Sequence, residues 1–207
     1  MRPQARRLIA LALLAGVSAL PAHAAYVATI TESAGNVVAT GVGSINTTGA
    51  ASTAAVAGTQ LALVVPSGSL VEFYIGDTLT SNQFTLASFA SPGFSGPTTL
   101  GPGSDAVFAD AMTGVNLGFS ADATDFYLYL PLGYASGDAL GTSTATWNAT
   151  TIAAMGLAAG SYTWTLGTGA NTDTFTITII ASAVPEPASL PLIGAGLAGF
   201  GLLRRRR

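Results

Sequence analysis

Alternation of apolar and polar residues with period two runs through the middle of the chain and predicts strands. Thr174-Phe175-Thr176-Ile177-Thr178-Ile179 turns Phe175, Ile177 and Ile179 to one face and three threonines to the other. Tyr162, Trp164 and Leu166 alternate in the same way with Thr163 and Thr165. Gly167-Thr168-Gly169-Ala170-Asn171 separates the two runs, so they read as a hairpin. Val71, Phe73 and Ile75 face away from Glu72. Residues 126–130 are apolar or aromatic on both faces, as in a central strand. Further strands are expected over 26–31, 37–45, 60–65, 84–89, 115–119 and 144–147. Helical signal is confined to 150–157, with Asn148 or Thr150 as cap and Gly156 as stop. The stretch 91–103 is rich in Pro and Gly and uncharged, and reads as a long surface loop suited to covering a sheet edge. Short strands at turn-punctuated spacing predict an all-β fold over 25–183: an antiparallel, jelly-roll-like β-sandwich.

The two ends break this pattern. Arg2, Arg6 and Arg7 precede an apolar run over 8–20 and then Ala22-His23-Ala24. A basic start, an apolar centre and a small-x-small site are the parts of a secretory signal. Residues 1–24 are therefore expected to be a signal peptide, cut by signal peptidase between Ala24 and Ala25. The centre of 13 residues is short against the roughly 20 that span a bilayer. An uncut amino-terminal anchor is the competing reading.

At the other end, Val184-Pro185-Glu186-Pro187 is followed by an apolar run over 188–203 and by Arg204, Arg205, Arg206 and Arg207. A transmembrane helix over 188–203 would reach about 24 Å, short of the roughly 30 Å hydrocarbon core. Pro191 and the glycines Gly194, Gly196, Gly199 and Gly201 weaken it further. The arginines resist translocation and act as a stop-transfer, which puts the preceding domain outside the inner membrane. A short, weak helix suits temporary residence.

Motif, apolar helix and arginine cluster, in that order at the end of the chain, resemble the PEP-CTERM sorting signal of Gram-negative bacteria. The resemblance covers residues 184–207. It implies processing by exosortase, a membrane enzyme with a cysteine nucleophile, near the Pro-Glu-Pro motif. It implies delivery to the cell surface or exopolysaccharide matrix, and an association with biofilm. Val184, Pro185, Glu186 and Pro187 are then a recognition element for another enzyme. Two prolines hold an extended chain and the carboxylate between them is a handle. An ordinary tail anchor on a proline-rich stalk is the alternative. The middle of the chain resembles more loosely a group of uncharacterised PEP-CTERM proteins. Asn36-Val37-Val38-Ala39-Thr40-Gly41, 157–164 and Asp173-Thr174-Phe175 carry that likeness, and no activity comes with it.

Composition narrows the chemistry. The seven basic residues all lie in the end segments, and so does the one histidine, His23. Every charge over 25–183 is acidic: Glu32, Glu72, Asp77, Asp105, Asp110, Asp122, Asp125, Asp138 and Asp173. Nucleic-acid binding lacks the cations it needs. Ser-His-Asp and Cys-His catalysis lack their base, and His- or Cys-based zinc and copper sites lack their ligands. A phosphate loop of the Walker type lacks its lysine. Disorder is excluded as well, because the segment is hydrophobic and lightly charged.

Three chemistries stay open. Paired carboxylates, Glu32 with Glu72 or Asp122 with Asp125, are candidates for a glycosidase acid and base. Asp105, Asp110, Asp122 and Asp125 are candidate calcium ligands, set against the ordinary role of aspartate in capping turns. Tyr127, Tyr129, Tyr134, Trp147 and Trp164 are candidates for a sugar-stacking platform, set against core packing. The leading expectation is an exported, non-enzymatic surface or matrix protein associated with exopolysaccharide, with no catalytic residue and no cofactor. A carbohydrate-binding module is the alternative, and a secreted carboxylate-dependent glycoside hydrolase the second.

Overall fold

The computed structural model describes residues 25–58, 60–77 and 83–182. The signal peptide, the sorting motif, the segment 188–203 and the arginine cluster lie outside the described residues.

The first sheet contains β1 (Ala25–Ser33), β2 (Asn36–Ser44), β7 (Phe94–Ser95), β9 (Ala111–Thr113), β12 (Ala139–Trp147), β13 (Gly160–Leu166) and β14 (Asp173–Ile180). Their order is β7-β13-β14-β1-β2-β12-β9. The second contains β3 (Ser52–Ala57), β4 (Leu63–Val65), β5 (Val71–Ile75), β6 (Gln83–Ala90), β8 (Val107–Phe108), β10 (Leu117–Ala121) and β11 (Asp125–Pro131). Their order is β3-β6-β11-β10-β5-β4-β8. Pairing between these strands is antiparallel except at β1–β14, which is parallel. The expected all-β architecture is present as two antiparallel-rich sheets, with one parallel pair at β1–β14.

Alternation builds the core. Tyr26, Ala28 and Ile30 of β1 and Phe175, Ile177 and Ile179 of β14 turn inward and are buried. From the second sheet come Phe73, Phe119, Phe126 and Leu128. Rings cross the interface: Phe119 lies 4.5 Å from Trp164 and 5.0 Å from Phe175, centroid to centroid. Aromatic pairs at such spacing add to the hydrophobic gain from burial, which is the main force holding two lightly charged sheets together. The β1–β2 hairpin closes through Ala34 and Gly35, both at positive φ (51° and 80°). That turn matches the right-handed twist of the strands it joins.

The predicted strands are present, with shifted boundaries. The expected strand over 60–65 is confined to Leu63–Val65. β3, β7, β8 and β9 were not foreseen. No α-helix occurs among the described residues, and none of their helices is long and apolar enough to cross a membrane. The expected helix at 150–157 is a turn: Thr151 accepts from Met155, its hydroxyl caps Ala154, and Gly156 at φ 70° ends it. The stretch 91–103 does cover an edge, through β7 on β13. It is also core, because Phe94 and Leu100 are buried and Pro97 accepts the Trp164 indole N–H at 3.0 Å.

Candidate functional site

The outer face of the second sheet gathers aromatic rings and polar groups that the sandwich core does not use. Phe126, Leu128 and Leu130 point inward, so Tyr127 and Tyr129 point out, half-buried. Register then aligns two rows across the strands. One runs Glu72, Ser120, Tyr127, Ser88, Ser52. The next runs Tyr74, Gly118, Tyr129, Leu86, Ala54.

Gly118 makes the second row possible. A Cβ there would lie 2.3 Å from Tyr74 Cδ1 and 2.4 Å from the Phe73 carbonyl oxygen. In its absence Tyr74 leans over the glycine and meets Tyr129 edge-on, at 5.2 Å and 62°. Tyr129 also packs on Phe84 at 5.0 Å. Tyr74 is only 3% exposed although it lies on the outer face. Burial, with Tyr129 and Glu72 nearby, pushes its phenol well above the ordinary tyrosine range. Glu72 is half-buried, and burial raises its carboxyl above the usual range. It accepts no hydrogen bond among the described residues. The Ser120 and Tyr129 hydroxyls approach within 3.5 Å.

This face offers ring surfaces, hydroxyls and one carboxylate without a donor. It can stack against apolar C–H surfaces and accept hydrogen bonds from hydroxyls. It holds no amine, imidazole or thiol. Phe84 continues into a cleft of about 550 Å³ at the end of the sheet. Asn116 also lines that cleft, and its buried amide nitrogen has no hydrogen-bond partner.

The remaining predicted site residues lie elsewhere. Trp147 and Trp164 are 1% and 0% exposed, and their indole N–H groups donate to Val107 and Pro97. The platform expectation is corrected for these two: a ring that solvent cannot reach stacks on no sugar. Both sit at inward positions of their strands, where large apolar area is worth most. Tyr134 is a brace. Its hydroxyl accepts from Ile45 N–H at 2.8 Å and lies 2.7 Å from the Asp138 carbonyl oxygen.

Glu32 and Glu72 belong to different sheets and do not form a pair. Glu32 accepts the backbone N–H groups of Ile152 and Ser182, chiefly the first, and this holds its carboxyl below the usual range. Asp122 and Asp125 are close, but as parts of a turn. Asp122 accepts from Thr124 N–H, Asp125 N–H and the Thr124 hydroxyl, and the same hydroxyl lies 2.9 Å from Asp125. Those bonds lower the Asp122 carboxyl. Asp110 accepts from Asn148 N–H at 2.7 Å, and Asp105 lies on an exposed loop. The four aspartates are not gathered, and no group of three metal-ligating side chains exists among the described residues.

Tyr74, Phe84, Gly118 and Ser120 were missed as site residues. A signal existed in Leu117-Gly118-Phe119-Ser120-Ala121, where small or polar residues alternate with apolar ones. Only the register shows that these gaps lie between tyrosines.

Residues 183–207 match the family model of the PEP-CTERM protein-sorting motif. No curated protein and no solved structure matches the chain.

Proposed function

We infer from the carboxy-terminal PEP-CTERM motif that the sandwich is the exported cargo of an exosortase pathway, anchored briefly in the membrane and then released. The motif at 183–207 is the observation that carries this reading. It is supported by the position of the last strand, which ends at Ile180, just before the motif. A recognition element that follows the last strand in sequence can be cut without opening the core.

The mature protein works at the surface or in the matrix of a Gram-negative bacterium, and it works without catalysis. Residues 25–182 contain no His, Cys, Lys or Arg, which removes the cysteine and lysine nucleophiles and leaves a serine or threonine hydroxyl no base other than a carboxylate. Replacing Pro185-Glu186-Pro187 by three alanines tests the sorting step. The expected result is full-length protein held in the membrane fraction; unchanged release to the surface contradicts the reading.

One observation favours a finer reading, in which the matrix partner is exopolysaccharide. Tyr127 and Tyr129 share an outer face with Tyr74, Ser120 and a half-buried Glu72. Such a face suits a neutral sugar, stacked by its C–H surface on the tyrosine ring faces and donating hydroxyls to the carboxylate. The host polysaccharide should lose affinity for a Tyr127→Ala/Tyr129→Ala variant that melts as a folded protein. Undiminished binding by that variant counts against this face.

A further inference from the structure

We propose that two copies of this chain associate through β3, edge to edge, so that their second sheets become continuous. The two sheets have four edges: β7 and β9, β3 and β8. Three are closed off by brevity, since β7 and β8 have two residues and β9 three. β3 has six, Ser52-Thr53-Ala54-Ala55-Val56-Ala57, and pairs with β6 alone among the described strands.

An open edge presents a row of unpaired N–H and C=O groups, and proteins protect such edges with charge, proline, a bulge or short length. β3 has none of these. Its pairing with β6 runs without a register shift over all six residues. Five of its six residues are exposed and the sixth, Val56, is half-buried, so no side chain among the described residues screens the strand.

The absence of charge favours a second copy as the occupant. β3 and β6 carry no charged residue, and neither does any position over 33–71 or 83–104. Every charge elsewhere on the described residues is acidic. Two copies that meet at the β3–β6 end bring no carboxylate towards another, so a like-for-like contact there carries no repulsion. A basic partner finds no anion there to pair with. Small side chains fit their own copies: an antiparallel twofold contact centred on Ala54, or on Ala55, sets that alanine against its own copy. The contact is isologous and closes at two copies.

The chain contains no cysteine, so single cysteines report the contact cleanly. Protein purified with its termini as the host leaves them should form a disulfide dimer on oxidation of Ala54→Cys or Ala55→Cys. Val42→Cys, exposed on the other sheet, should not. Sedimentation should show a concentration-dependent dimer whose mass halves in Ala54→Lys/Ala55→Lys. Both lysines are placed at exposed positions, so an unchanged circular dichroism melt of that variant shows that the fold has survived. Equal cross-linking of β3 and Val42 cysteines, or a folded double-lysine variant that keeps the wild-type mass, overturns the proposal.

Discussion

Trp164→Ala separates a core indole from a binding indole. Trp164 is fully buried and lies 4.5 Å from Phe119, with Phe126 and Phe175 each at 6.3 Å. Truncation deletes the ring from the contact between the sheets and leaves the Pro97 carbonyl without its donor. Large-to-small changes at such sites cost about 3–5 kcal/mol. Domains are stable by roughly 5–15 kcal/mol, so one substitution removes a large part of the total. Trp164→Phe keeps most of the ring volume but still orphans the carbonyl, and should cost about 1–3 kcal/mol. Thr163→Ala, next along the strand and facing outward, loses only a cross-strand hydroxyl contact to Thr176 and should cost no more than about 1 kcal/mol. Urea unfolding measures all three. Trp147, the other of the two tryptophans, supplies the fluorescence signal in the Trp164 variants. A Trp164→Ala protein less than about 1 kcal/mol weaker than wild type would refute the buried placement, the more so if it had lost polysaccharide binding.

Two further changes test the outer face. Gly118→Ala puts a methyl against Tyr74 and the Phe73 carbonyl; it should cost about 1–3 kcal/mol and expose Tyr74, seen as faster modification by a tyrosine-selective reagent. Glu72 has a raised folded-state pKa, so its protonated form is favoured by folding. Its stabilising contribution is present at low pH and is lost as pH rises through the carboxylate range. Glu72→Gln should therefore raise the urea midpoint near pH 7, and the gain should vanish in acid; a gain that grows in acid contradicts the assignment.

Strands with clean alternation were legible because burial on one face leaves a period of two in the sequence. Phe175, Ile177 and Ile179 announce β14, and Val71, Phe73 and Ile75 announce β5. β3 was not legible, because all its residues face solvent or nearly so and no side of Ser52–Ala57 had to be apolar. β7, β8 and β9 are too short for any period to show. The site was half legible. Tyr127 and Tyr129 occupy outward phases of a strand whose inward phases are Phe126, Leu128 and Leu130. The same parity rule places Trp164 with Tyr162 and Leu166 on one face, but it does not say which face another sheet covers. Trp147 and Trp164 were misjudged as platform rings for that reason. Gly118 and Ser120 became part of the site through register, a long-range property that local pattern does not encode. The aspartates looked like ligands because oxygen chemistry is all the segment offers; in the fold Asp110 and Asp122 take up neighbouring backbone N–H groups instead.

The intact mass of the protein recovered outside the cell, with and without the host's exosortase, tests the cargo reading most directly. The expected species begins at Ala25 and lacks residues 188–207 when the enzyme is present. Without the enzyme, the tail stays attached and the protein remains in the membrane. A secreted chain that still carries Arg204 to Arg207, or one trimmed identically in the absence of the enzyme, contradicts it.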